Sequence, residues 1–159
     1  MKYQTNASAP DEHFMQVALR EAKKAFRAGE VPVGAVIVKQ GQIIGRGYNK
    51  VEARQDASQH AELIAMRQAA KNLKSWRLIG CYLYVTLEPC AMCAGAAVWF
   101  RINTIIYGTP DPKAGACGSV LAVAGEPRLN HRPQIAANIC ATECRSLLKK
   151  FFQELRQRN

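Results

Sequence analysis

His60-Ala61-Glu62 and Pro89-Cys90-Ala91-Met92-Cys93 are the two stretches that decide how the rest of this chain is read. The first supplies an imidazole with a carboxylate two residues on. The second supplies two thiols three residues apart, behind a proline. Cys90 and Cys93, at i and i+3, share one face of a helix's first turn, and Pro89 suits the approach to such a turn. Unpaired N–H groups and the helix dipole there favour thiolates over thiols. His60 and Glu62, at i and i+2, cannot share a helical face, so the histidine binds metal while the glutamate reaches in from another side. Structural zinc takes four protein ligands, whereas catalytic zinc keeps one position for water, which becomes acidic enough to supply hydroxide near neutral pH. His60, Cys90 and Cys93 as ligands, with Glu62 left over, therefore read as a catalytic centre holding one Zn2+ per chain.

Two other readings of Cys-x-x-Cys were weighed. A redox pair lacks thioredoxin-like surroundings in this sequence. A four-ligand structural zinc would have to recruit His131, Cys117, Cys140 or Cys144, none of which sits in a close Cys/His motif. Cys140 and Cys144 stand at i and i+4, where packing is a better reading than a shared metal.

Working outward, each half-site opens a helix: one from His60 to about Asn72, with Leu63, Ala65, Met66 and Ala69 packing inward, and one from Cys90 to about Phe100. Cys81 to Thr86 is a nearly continuous apolar strand, as in a sheet interior, with Cys81 a buried bystander and Trp76 a packing residue. Thr104 to Tyr107 is the next strand. Upstream, Val33–Lys39 and Gln42–Tyr48 form a hairpin across Gln40-Gly41, and Asn49–Gln59 is a polar loop. The first helix opens at Pro10-Asp11 with Asp11 as N-cap, carries the stripe Phe14, Ala18, Ala22, Ala25 and Phe26, and stops at Gly29. Downstream come a loop from Gly108 to Gly118, a short helix near Ser119–Ala124, a short strand at Gln134–Ala136 and a last helix from Thr142 to Leu155. Strand, strand, helix, strand, helix, strand implies an α/β sheet with helices on both faces. No repeat or linker interrupts 1–159, which reads as a single domain, with 1–10 disordered and 141–159 a C-terminal helix and basic tail.

The 22 Lys and Arg against 12 Asp and Glu, a formal charge of +10, favour an anionic partner, nucleic acid first. The N-terminal stretch has no apolar signal region, and no apolar run approaches a membrane span. Six cysteines without a secretory signal fit a reducing cytoplasm. From Arg145 onward, Arg145, Lys149, Lys150, Arg156 and Arg158 surround Phe151-Phe152, a pattern of cations and rings that suits an RNA loop.

His-x-Glu followed by Pro-Cys-x-x-Cys is the signature of the zinc nucleobase deaminases, and the chain resembles that superfamily. Pro32-Val33-Gly34-Ala35-Val36, Asn49, Trp76-Arg77-Leu78, Val85-Thr86-Leu87-Glu88-Pro89-Cys90, Cys93-Ala94-Gly95-Ala96, Leu129-Asn130-His131-Arg132 and Phe151-Phe152 extend the likeness from about Phe14 to Phe152. The Asn-His-Arg stretch and the Phe-Phe tail are similar to the branch acting on tRNA adenosine. That resemblance implies a three-layer α/β/α fold, cytidine deaminase-like, with a mixed central sheet of about five strands. It implies a homodimer converting the wobble adenosine in the anticodon loop of an arginine tRNA to inosine, with Glu62 moving the protons. It implies that Asn49 contacts the base and that the backbone of Ala61 and Cys90 lines the pocket, with Val33, Leu87, Pro89, Asp111, Lys113, Phe151 and Phe152 as further substrate contacts. Three departures stand out. Asp56-Ala57-Ser58-Gln59 replaces the family's Asp-Pro-Thr-Ala, bulky Trp99-Phe100 replaces a small or polar pair, and Cys117 replaces a small residue. A small-molecule deaminase acting on guanine, cytosine or a nucleoside, and a non-enzymatic zinc-stapled RNA-binding module, are the competing readings. Basic charge argues against the former, and the spare Glu62 against the latter.

Overall fold

The computed structural model describes residues 9–159; the expectation of disorder over 1–10 falls almost wholly outside them. Helix α1 (Ala9–Arg27) leads into the hairpin β1 (Gly34–Lys39) and β2 (Gln42–Tyr48). Then come α2 (Val51–Arg54), α3 (Ala61–Leu73), β3 (Cys81–Leu87), α4 (Ala91–Trp99), β4 (Thr104–Thr109), β5 (Gln134–Ala136) and α5 (Ala141–Arg158). The strands form one five-stranded mixed sheet in the order β2-β1-β3-β4-β5. β1 is antiparallel to both β2 and β3, whereas β3–β4 and β4–β5 are parallel.

Side chains alternate across the sheet, as the period of two requires. Val36 and Val38 of β1, Tyr84 and Ile106 face one core with Met15 and Ala18 of α1 and Cys144 of α5. Ala35 and Ile37, Leu83 and Val85, Ile105 and Tyr107 face the other, under Met66 of α3 and Ala94 and Ala97 of α4. Both faces are therefore covered, and β1, β3 and β4 are buried almost throughout. This is the three-layer α/β/α arrangement.

Glycine lets α3 come close. A Cβ at Gly45 or Gly47 of β2 would overlap the backbone of Ala65 or Ala61, so β2 seats α3 at contact distance. The inward residues expected of α3 (Leu63, Ala65, Met66 and Ala69) are buried. α1 ends as read: Gly29 has φ +76, and Glu30 N–H returns to the Ala25 carbonyl at 2.9 Å, a glycine-terminated cap.

Several expectations are corrected. Asp11 is not an N-cap: α1 begins at Ala9, and the Asp11 carboxylate accepts the Tyr84 hydroxyl at 2.7 Å, a tertiary bond that sequence periodicity does not report. The polar loop 49–59 contains a turn of helix, α2. Residues 119–124 form no helix; the segment is turns around an isolated bridge between Cys117 and Ala122, with the N–H groups of Val120 and Leu121 both returning to the Gly115 carbonyl at 2.9 and 3.1 Å. Trp76 is exposed under the Arg77 guanidinium, 4.3 Å from ring centre, not packed in the core. Cys144 is buried, so packing is the correct reading there.

Candidate active site

β2 and β3 flank β1 and are each antiparallel to it, so they run the same way and end at one edge of the sheet. α3 follows β2 through the 49–59 segment and α4 follows β3 directly, which brings two helix N-termini together at that edge. His60 and Cys90 occupy the N-cap positions, both extended (φ −78, ψ 148 and φ −73, ψ 176). Their carbonyls accept the first helical bonds, from Ile64 at 3.1 Å and Ala94 at 2.8 Å. Neither side chain caps its own helix; both are left to point at each other.

His60 Nδ1 lies 3.6 Å from Cys90 Sγ and 3.5 Å from Cys93 Sγ. Zinc bonds of about 2.0–2.1 Å to nitrogen and 2.3 Å to sulfur, at tetrahedral angles, put N and S roughly 3.5 Å apart. The donor set thus fits zinc in kind and in spacing. Among the described residues it is the one cluster of three or more such ligands. His131, weighed as a fourth ligand, instead bonds the Ile102 carbonyl at 2.7 Å.

The three groups hold one another through shared protons. The Cys93 thiol donates to Cys90, holding the Cys90 thiol down at about 4, and the His60 imidazole adds to that. The same bond, with burial, pushes Cys93 far up, and the Cys90 contact raises His60. A divalent cation takes the place of such protons when it binds. Glu62, in the first turn of α3, is 4% exposed. Burial pushes its carboxyl up to about 7.

His60, Cys90, Glu62 and Asn49 line a cavity of about 230 Å³ with Val31, Val33, Leu87, Glu88, Asp111 and Ala114. Val31, Leu87 and Asp111 are shared with a second cavity of about 450 Å³, which adds Lys113, Arg145, Leu148 and Phe152. The structure separates the two tail phenylalanines. Phe151 is 8% exposed and packs edge-on against Phe26 at 5.7 Å, whereas Phe152, 40% exposed, lines the outer cavity. α5 can turn only one of two adjacent residues inward. Pro89 is buried, and its carbonyl accepts Ala116 N–H at 2.8 Å. Ala61 is buried beneath Gly47 at the start of α3.

The altered stretch before His60 still forms a tight turn. Asp56 accepts Ser58 N–H at 2.8 Å, the Ser58 hydroxyl at 2.7 Å and the Gln59 amide at 3.0 Å. These bonds, Gln59 first, lower its carboxyl to about 2.

Among the buried carboxylates that sequence reasoning missed, two brace segments beside the site. Glu30 accepts the N–H groups of Glu52 at 3.1 Å and Ala53 at 2.7 Å, anchoring α2 just beyond Asn49. Glu88 holds the 110–119 loop. An acidic residue inside an apolar run, as in Thr86-Leu87-Glu88-Pro89, was the available signal, because a buried charge must be partnered.

The model of the cytidine and deoxycytidylate deaminase zinc-binding region matches residues 8–109. The tRNA-specific adenosine deaminase of Bacillus subtilis (strain 168) is 45% identical over 148 residues, 93% of this chain and 92% of that one. Its counterpart in Aquifex aeolicus (strain VF5) is 48% identical over 145 residues, 91% of this chain and 95% of that one. A solved structure from work on A-to-I editing by tRNA:A34 deaminases at the wobble position of transfer RNA shares 41% identity. It superposes with a TM-score of 0.82, covering 85% of this chain and 98% of that one. The chain belongs to the zinc-binding cytidine and deoxycytidylate deaminase family, and within it to the group that holds the tRNA-specific adenosine deaminases.

Proposed function

We propose that this chain is a cytoplasmic, homodimeric enzyme that hydrolyses the wobble adenosine of a tRNA to inosine. The observation that carries the reading is that two cavities share a wall. The inner one, at His60, Cys90 and Glu62, adjoins across Val31, Leu87 and Asp111 an outer one bearing Lys113, Arg145 and Phe152. A base taken out of its stack fits the first, and the neighbouring nucleotides, with cations for phosphate and a ring for stacking, fit the second.

Zinc, held by His60, Cys90 and Cys93, acidifies a water when bound. Glu62 would take a proton from the attacking water as its oxygen adds to C6 of the adenine, and deliver it to N1 of the ring. The second proton passes through Glu62 to the amino nitrogen, which leaves as ammonia. Adenosine and water become inosine and ammonia. Asn49 orients the base with an amide that both donates and accepts. Asn49→Ala is expected to weaken the handling of the stem-loop by roughly 1–3 kcal/mol, the cost of leaving polar groups of the base unpaired. Unchanged kcat and KM would remove Asn49 from the site.

Met92 and Trp99, seven residues apart on one side of α4, leave apolar surface outward, Trp99 71% exposed, which supports a second copy as neighbour. Among the described residues no helix is long and apolar enough to cross a membrane.

The test compares deamination of an anticodon stem-loop with that of free adenine, guanine and cytosine, using the native chain and the Phe152→Ala and Arg145→Glu variants. Removing Phe151 together with the tail would strip packing from Phe26, so point variants are cleaner than truncation. Both variants should weaken stem-loop binding with zinc retained, and Arg145→Glu should flatten the log–log salt dependence by about one or more phosphate contacts. Turnover of a free base with none on the stem-loop would sink the tRNA reading while leaving the zinc chemistry standing. Sequencing total bacterial tRNA for A-to-G changes after incubation tests whether an arginine tRNA is the target.

A further inference from the structure

Glu88, the residue after β3, is 2% exposed. Its Oε2 accepts Asp111 N–H at 3.0 Å and the Ser119 hydroxyl. Its Oε1 accepts Cys117 N–H at 3.0 Å and Ser119 N–H at 3.1 Å. Its own N–H donates to the Thr109 carbonyl at 2.9 Å. Gly115 lies so close to the carboxylate that a Cβ there would overlap it. Among the described residues no Lys or Arg forms an ion pair with it. Its partners among the described residues are three backbone N–H groups and one hydroxyl, an arrangement suited to a carboxylate.

Those donors belong to the segment that walls the site. Asp111 lines both cavities, Ala114 the inner and Lys113 the outer. The segment holds no helix and one isolated bridge, Cys117 with Ala122; besides Glu88, Ala116 N–H on the Pro89 carbonyl at 2.8 Å ties it to the start of the metal-binding helix, and Glu88 stands two residues before the ligand Cys90. We propose that Glu88 is a positioning residue: its carboxylate fixes the 110–119 wall against the start of the metal-binding helix and so sets affinity for the RNA substrate, not the rate of hydrolysis. This rests on the RNA reading above.

Each oxygen of Glu88 accepts two hydrogen bonds, so the amide of Glu88→Gln sets its NH2 group against the two N–H groups of Cys117 and Ser119 in one orientation, and against Asp111 N–H in the other, where the Ser119 hydroxyl has to turn and accept. The expected result is one zinc per chain, kcat on the stem-loop within about twofold of native, and KM raised about tenfold, the scale of losing a hydrogen bond to a charged group. Ser119→Ala, which removes one donor and leaves the carboxylate in place, should raise KM about threefold on the same grounds and covers the case in which Glu88→Gln does not fold. A purely structural role would lower the unfolding midpoint and the active fraction with KM unmoved, and that result overturns the proposal. So does a fall in kcat of tenfold or more at constant KM. Trypsin cleavage after Lys113 is followed in parallel, without RNA. Glu88→Gln should speed it several-fold, and an unchanged cleavage rate overturns the proposal. If the native chain fails on the stem-loop, the tRNA reading falls, and the proteolysis result alone decides whether Glu88 holds the wall.

Discussion

Glu62→Gln keeps its zinc and loses turnover, by about the 10²–10⁴ that a positioned general acid–base contributes. The side chain sits two residues after His60 in the first turn of α3, almost wholly buried, among the residues that line the inner cavity. The three metal-binding atoms come from His60, Cys90 and Cys93, so the variant removes no ligand. Glutamine fills the same volume and can still hydrogen-bond, but its amide cannot take a proton from water and return it to the base. Replacement also relieves the desolvation that pushes the carboxyl up to about 7, so the fold should be no less stable than native. Metal analysis, thermal unfolding and single-turnover assays on the stem-loop read the three quantities separately. If zinc leaves with the carboxylate, Glu62 is a ligand and the assignment of roles is wrong.

Replacing any one of His60, Cys90 or Cys93 by alanine has a different signature. Zinc falls from one per chain to far below it, activity disappears, and the unfolding midpoint drops. The drop follows from linkage: at free zinc a thousandfold above its dissociation constant, binding to the native state contributes about 4 kcal/mol of stability. The fold itself should persist, because both cores are built from the sheet and four long helices and do not depend on the metal. Cys93→Ala is the sharpest of the three, since Cys93 is fully buried. Zinc uptake should release protons and weaken as pH falls, because the thiols must give up theirs to bind. A variant that keeps stoichiometric zinc would show a fourth protein ligand and end the catalytic reading.

The sequence alone carried the layered fold and the metal ligands. Apolar positions repeating every two or every 3.6 residues are local consequences of packing on a sheet or against it, and they placed all four long helices and all five strands. His60, Cys90 and Cys93 were legible because ligand chemistry needs those residue types at short spacing, and each half-site lies within one helical turn. That they meet follows from β2 and β3 running the same way on either side of β1, which the sheet alone decides.

Tertiary structure decided whatever depends on a partner distant in sequence. Asp11 looks like a cap until Tyr84, 73 residues away, donates to it. Nothing in the 110–119 loop itself shows what fixes it, yet Glu88 takes the amides of Cys117 and Ser119 across 29 and 31 residues. Phe151 and Phe152 are indistinguishable in the sequence, and only the position of Phe26 on α1 turns the first inward and leaves the second facing the outer cavity. The physical reason is the same in each case. Hydrophobic periodicity is a property of one segment and survives in its sequence, whereas a hydrogen bond or a ring contact between segments exists only once the sheet has brought them together.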